Sequence, residues 1–277
     1  MASQIKTTTH AAHTTAHQSA DAAAAGRRNV RLTVEYDGTR YAGWQRQSNS
    51  LTVQQVLEEA LALQMGHRVQ LSVAGRTDSG VHAVGQVANF HTETRLTPRA
   101  IQLGALRYLP NDVAISSVSD VPLDFDSRRS ARLRWYRYFL CNRSVRPAIA
   151  SQYLTHVIGR LDLDRLQDAA NTLAGRHDFS AFRAIACTAG RTLLDLQPIN
   201  IKRQEDGILI LDFKCRSFLQ NMVRILAGTM VSCARGKLSV GAITEMLETG
   251  VRPREAVTLS PNGLFLYRVL YGTDTDA

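Results

Sequence analysis

Long apolar runs are missing from this chain. No stretch of its 277 residues approaches the roughly 20 needed to span a bilayer, so no membrane segment is expected. Cysteine is scarce: Cys141, Cys187, Cys215 and Cys233 are the full set, with no CxxC pair among them. That excludes a disulfide framework and the usual zinc-ligand spacings, and fits reduced, mostly buried thiols in a cytoplasmic protein. A P-loop, a GxGxxG turn after a strand, an HExxH helix and a usable Ser-His-Asp signature are all absent. Phosphate-loop hydrolysis, dinucleotide redox chemistry and zinc proteolysis are therefore not supported. Large apolar side chains are nearly lacking from residues 1–28, which are rich in Ala, Thr, His and Gln. With no apolar h-region, a signal peptide is not expected there, and a disordered tail is. His10, His13 and His17 share a helical spacing, but in such a tail they read as incidental.

Lysine is almost missing too. Lys6, Lys202, Lys214 and Lys237 are four of the 33 basic residues, which leaves 29 arginines. Against 24 acids this gives a net charge of +9. A basic chain fits a polyanionic partner, and the planar arginine fork suits phosphates and bases better than a lysine point charge. A GC-rich genome would produce the same exchange of Lys for Arg, so composition alone leaves both causes open.

From Val30 the pattern becomes regular. Val30, Leu32 and Val34 alternate with polar residues, as in a half-buried strand, which ends at the Tyr36-Asp37-Gly38 turn. Thr52 and Gln55 resemble a capping box, followed by a helical face of Val53, Val56, Leu57, Ala60 and Leu61 that stops at Gly66. Val69, Leu71 and Val73 suggest a second strand, residues 85–92 a third, Thr97-Pro98 a helix start running to about Tyr108, and residues 113–118 a fourth strand. Strand–helix–strand–strand–helix–strand is the order of a split βαβ unit. The second half opens with a basic strand over 134–141. A helix with Leu163, Leu166, Ala170 and Leu173 inward then follows the cap Asp162. Residues 193–203 and 208–215 pair across a hairpin turn, a helix spans 218–234, a short one 240–247, and a last strand 264–271. The comparable spacing suggests a second, divergent copy of the first layout. The fold expected is α+β: two ferredoxin-like halves, largely antiparallel, flanked by helices, with a cleft between two sheets. The boundaries are a tail over 1–28, units over 29–124 and 125–272, and a short tail over 273–277.

Four segments could carry chemistry. Arg76-Thr77-Asp78-Ser79-Gly80 sits at a strand end, where an arginine near the carboxylate would keep it ionised as a nucleophile or base; an ordinary Asp-Ser-Gly turn has the same letters. Residues 36–47 hold three aromatics, two glycines and two arginines, which suits stacking on exposed bases or a packed turn. Residues 128–146 hold seven arginines interleaved with Trp135, Tyr136, Tyr138 and Phe139, as a nucleic-acid contact or a solvated edge would. Arg224 lies close to an apolar helix stripe and there wants an acid partner, unless it snorkels to water. Residues 175–183 could be a cleft loop or a helix cap with an aromatic anchor.

At Gly75 to Ala83 the sequence resembles the pseudouridine synthase A (TruA) family of tRNA-modifying enzymes, whose motif is G-R-T-D-[AS]-G-V-H-A. Further family signatures follow in order: Tyr36-Asp37-Gly38 through Gly43-Trp44-Gln45, Gly85-Gln86-Val87, Tyr136-Arg137-Tyr138, His177-Asp178-Phe179 and Met222-Val223-Arg224. The resemblance covers about Val30 to Tyr271. It departs at Phe125-Asp126-Ser127-Arg128-Arg129, where the family usually has Phe-His-Ala-Arg-Phe, and it is loose over residues 258–264.

By resemblance, Asp78 is the catalytic aspartate, Arg76 helps displace the target base, Tyr136 packs on that base and Arg224 pairs with the carboxylate. Arg128, Arg129, Phe125 and Arg183 are expected to contact substrate. The first unit then carries the catalytic loop, and the second carries RNA contacts and the rest of the site. The implied reaction isomerises uridine to pseudouridine at positions 38, 39 and 40 of the tRNA anticodon stem-loop. It breaks N1–C1′ and forms C1′–C5 without redox change, so no cofactor is expected. The implied partner is tRNA, and the implied state a cytoplasmic homodimer with no membrane contact. Two other classes remain: a tRNA-binding protein without catalysis, and a phosphodiester hydrolase, which would need a metal cluster or an acid–base His pair.

Overall fold

A computed structural model describes residues 26–272. The expected tails, including His10, His13 and His17, lie outside the described residues, apart from residues 26–28. Among those described, no helix is long and apolar enough to cross a membrane.

The first half is β1 (Arg28–Tyr36), α1 (Val53–Met65), β2 (Ser72–Val73), β3 (His82–Thr92), α2 (Pro98–Ala105) and β4 (Val113–Val121). Its ends are where local chemistry sets them. The Thr52 hydroxyl accepts from Gln55 N–H at the start of α1, and Gly66 closes it in the left-handed conformation at φ 74°. The Thr97 hydroxyl caps α2 ahead of Pro98. The strands order β4-β1-β3-β2 and every pair is antiparallel, so β3 separates β1 from β2 as a split βαβ unit requires.

The second half repeats this plan. It runs β5 (Ala131–Cys141), β6 (Thr155–His156), α3 (Leu163–Leu173), β7 (Gly175–Asp178), β8 (Leu193–Leu196), β9 (Asn200–Arg203), β10 (Ile208–Cys215), α4 (Met222–Ala234), α5 (Val240–Thr249) and β11 (Leu264–Tyr271). The order β11-β5-β10-β8 matches β4-β1-β3-β2 strand for strand, again antiparallel. The suspected internal repeat is therefore present in the topology.

The halves do not face each other as two sheets, as expected. They fuse into one 11-stranded sheet through a parallel pairing of β3 with β11. The reason is a mismatch of strand lengths. β3 has eleven residues and β2 only two, which cover Ala88 and Asn89 of β3. The start of β3, at His82 and Ala83, is left to pair with Phe265 and Leu266 of β11. Ala83 and Ala88 are about 17 Å apart along a strand. Between them Gly85 permits a close backbone crossing, since a Cβ there would lie 2.4 Å from Tyr267 O. β2 and β11 thus leave β3 at different heights, and the segment after β2 enters the gap between the halves.

Four local expectations are corrected. Val69 and Leu71 are buried but only Ser72–Val73 join the ladder. Leu163 points outward rather than into the core. The 193–203 strand breaks into β8 and β9 around Pro198, which has no N–H to donate. The long helix begins at Met222, not Phe218, because Asn221 is left-handed at φ 60°.

Candidate active site

β2 runs into residues 74–81, and four groups hold this segment from below. Ala74 N–H donates to Val87 O at 2.8 Å, and Gln86 Nε2 donates to Gly75 O at 2.7 Å. The Thr77 hydroxyl lies 2.8 Å from the Tyr36 hydroxyl, and Trp44 N–H donates to Thr77 O at 3.1 Å. Gly43, at φ 92°, lies so close that a Cβ would sit 2.6 Å from Thr77 O and 3.1 Å from Asp78 C. Tyr36, Tyr41 and Trp44 are all buried. Burial pushes the Tyr36 phenol up to about 12. The two arginines of this segment are engaged, Arg40 with Asp112 and Arg46 with Glu58 and Glu59. Of the two readings of residues 36–47, the packed one is right: the aromatics are a bed for the Asp78 loop, not a stacking surface.

The loop ends at His82, buried and stacked on Phe265 with ring centroids 4.7 Å apart. Gly38 N–H donates to His82 Nδ1 at 3.0 Å, so Nε2 carries the proton and donates to Gln152 O at 3.0 Å. Burial lowers the His82 pKa against the opposing charge of Asp37.

Above the loop opens a cleft of about 1140 Å³ between the halves. It brings together Asp78, Arg76, Tyr136, Arg128, Arg129 and Arg224, six of the eight site residues expected from sequence. Asp78 is half-buried, and Asn221 N–H, at the start of α4, donates to its carboxylate. A carboxylate at a helix N-terminus is favourably placed. Burial nevertheless outweighs this hydrogen bond and the Arg224 charge, and raises the Asp78 pKa above the ordinary carboxylate value. The expectation that arginine neighbours simply hold it low is thereby corrected: desolvation is the largest influence, and Arg224, not Arg76, is the charge that opposes it. Arg224 donates through Nε to Leu259 O at 2.8 Å and through Nη1 to Asn221 Oδ1 at 3.1 Å, so the expected pairing with the carboxylate is corrected: the guanidinium is held by these groups and acts on Asp78 through its charge, without a direct ion pair. It does not snorkel to water.

Tyr136 forms one wall, buried to 7% exposure, with its ring edge-on to Phe218 at 5.1 Å. Arg76 is exposed at the rim. Asp126, unexpected beside a polyanion, accepts from Arg128 N–H at 2.9 Å and Arg129 N–H at 2.7 Å. It shapes the turn that presents these arginines. Five arginines and two aspartates line the cleft, so its field favours an anion.

Phe125 and Arg183 are not in the cleft wall. Phe125 packs on Tyr271 at 5.1 Å. Arg183 donates to Ala189 O at 3.2 Å and braces the loop whose Cys187, Thr188 and Ala189 do line the cleft. Sequence reasoning missed Asn221; its one signal is that Asn tolerates the left-handed region better than other residues with a Cβ.

The profile of a family described as tRNA pseudouridine synthase matches residues 32–128 and 169–272. Among curated relatives, tRNA pseudouridine synthase A of Pelobacter propionicus is 44% identical over 244 residues, 88% of this chain and 100% of its own length. The enzyme of that name from Pseudoalteromonas atlantica is 42% identical over 87% of this chain and 92% of its own length. That of Thermoanaerobacter sp. is 37% identical over 88% and 100%. With its matched residues spanning both halves and the cleft between them, the chain belongs to the tRNA pseudouridine synthases, isomerases that turn uridine of tRNA into pseudouridine.

Proposed function

We propose that Asp78 is the group that reacts with the substrate, and that the uridines taken are those at positions 38, 39 and 40 of the anticodon stem-loop. The observation that carries the first part is the placement of Asp78 on the floor of an arginine-lined cleft, beside Arg224 and the Asn221 N–H. The position in tRNA rests on the family resemblance of residues 75–83.

A uridine in a stem must leave its stack before its glycosidic bond can be reached. Arg76 at the rim is suited to displace it, and the Tyr136 face to receive it. Asp78 then acts on the nucleoside as an ionised carboxylate, at C1′, at C6 or on a ribose proton. N1–C1′ breaks, the base turns, C1′–C5 forms, C5 loses its proton and N1 gains one. No electron is transferred, so the step needs no redox partner. Arg128 and Arg129 fit the phosphates flanking the flipped nucleotide. The resemblance also supports a cytoplasmic homodimer with tRNA lying across both subunits; sedimentation at working concentration tests the dimer.

Tritium release from tRNA carrying [5-³H]uridine tests the assignment. Release by the wild type and none by Asp78→Ala is the expected result, with sequencing of the product locating the label at 38, 39 or 40. Release by both proteins removes Asp78 from its role. Release from uridines elsewhere overturns the stem-loop assignment alone.

A further inference from the structure

Arg134 is buried to 7% exposure at the base of the cleft, on β5 two residues before Tyr136. Burial lowers its pKa, and among the described residues no salt bridge reaches it. A buried guanidinium without a carboxylate is unfavourable unless its donors are filled. Here they are filled by three backbone carbonyls. Nε and Nη2 donate to Ala74 O, the former at 2.9 Å; Nη2 donates to Arg128 O at 2.8 Å; Nη1 donates to Arg216 O. Ala74 opens the Asp78 loop. Arg128 lies in the turn built by Asp126. Arg216 precedes the segment that ends at Asn221, whose N–H meets Asp78. These three segments come from three distant parts of the chain, and all of them border the same cleft.

We propose that Arg134 is a positioning residue that sets the Asp78 loop, the Arg128 turn and the 216–221 segment in one register, so that carboxylate, aromatic wall and Arg224 converge. The inference rests on the reading of this cleft as the uridine site. Four of the five guanidinium N–H groups are used on carbonyls, which leaves Arg134 poorly equipped to bind a phosphate itself. Lysine keeps the charge but not the fork, and cannot reach three carbonyls from one planar head.

The test compares wild type, Arg134→Lys and Arg134→Met in two measurements. In steady-state kinetics on tRNA, kcat of Arg134→Lys should fall by roughly 10²-fold, the scale of a small misplacement of reacting groups. KM should stay within about threefold, because the exposed RNA-contacting arginines remain. In amide hydrogen exchange on the protein without RNA, residues 74–81, 126–130 and 216–221 should lose protection in both variants, and the remaining core should not. A kcat within about threefold of wild type overturns the proposal, as does a loss confined to KM, which would make Arg134 an RNA contact. Loss of protection throughout the core, or failure of both variants to fold, overturns it in favour of a general stabilising role. The exchange arm needs no catalysis. A wild type that releases no tritium would therefore remove the uridine reading while leaving the three-segment register to be judged on its own.

Discussion

Two glycine-rich segments lie back to back in the first half, residues 36–47 and residues 74–82. Both hold arginine, and both read from sequence as candidate site segments, the first for stacking on bases and the second for a reactive carboxylate. In the fold they part: the second lines the cleft along most of its length, whereas the first reaches it only through Ala42, Gln45 and Gln47. Residues 74–79 line the cleft and carry Asp78, whereas Tyr36, Tyr41 and Trp44 are buried beneath them and Arg40 and Arg46 are tied to acids. A sequence signature thus marks a whole construction, bed and surface together, and does not separate the two. What separates them is which side faces water, set by β1 being inside the sheet and by the gap between β2 and β11.

The sharpest way to break this comparison is to change one residue in each segment. Asp78→Asn removes the carboxylate proposed to react and should lower kcat by roughly 10⁴-fold or more, with tRNA affinity little changed in a filter-binding assay. It should also raise stability at neutral pH. Burial lifts the folded-state pKa of Asp78 above its unfolded value. The stability this group contributes is therefore full below the unfolded pKa and is lost as pH rises through the folded pKa. Asn escapes that loss, so its melting temperature should exceed that of wild type at pH 7 and the gain should vanish in acid. A variant less stable than wild type at pH 7 would mean the Asp78 charge is well compensated.

In the bed, Gly43→Ala forces a Cβ to within 2.6 Å of Thr77 O at a φ of 92°. The loop has to move, and roughly 10²-fold in kcat should go with it. The melting temperature should fall as well, since strained backbone of this kind costs about 1–3 kcal/mol. Equal kcat for Gly43→Ala and wild type would sink the idea that this segment positions the Asp78 loop.

A smaller effect separates charge from position. If Asp78 works ionised, kcat/KM has an acid limb at its pKa. Arg224 lowers that pKa, so Arg224→Met should move the limb to higher pH, and the deficit should be larger at pH 5.5 than at pH 8. A deficit independent of pH would assign Arg224 to positioning only.

Sequence reasoning reached the element order of the first half and the longer elements of the second, though not β6 or β7, together with the caps at Thr52, Thr97 and Asp162 and six cleft residues, because each has a local cause: periodicity, a side-chain oxygen before a helix, a specific motif. It missed what depends on distant partners. Pairing of β3 with β11 joins residues about 180 apart, and nothing near His82 announces it. Arg134 is one of seven arginines between 128 and 146, and only the fold distinguishes the buried one. Asn221 caps the helix inside a hydrophobic pattern, Phe218, Met222 and Ile225, that runs across it, so periodicity overran the true helix start. Phe125 is a substrate contact by resemblance, yet Tyr271, from the far end of the chain, packs on its ring.

The smallest expected effect decides whether the Gly43 result means what it should. Gly66 also has a positive φ, 74° against 92° at Gly43, but nothing lies within 4 Å of the Cβ it would gain. It ends α1, and its N–H donates to Ala62 O at 2.9 Å. Gly66→Ala therefore imposes the left-handed penalty without the collision, about 1–2 kcal/mol. In a chain of this size that is a drop of several degrees in melting temperature. Its kcat and KM on tRNA should equal those of wild type. If they do, strain alone is harmless to the reaction, and the loss in Gly43→Ala comes from contact with Thr77 and Asp78. If Gly66→Ala loses turnover to the same degree, the bed beneath the Asp78 loop has no special standing, and the two glycines differ only in name.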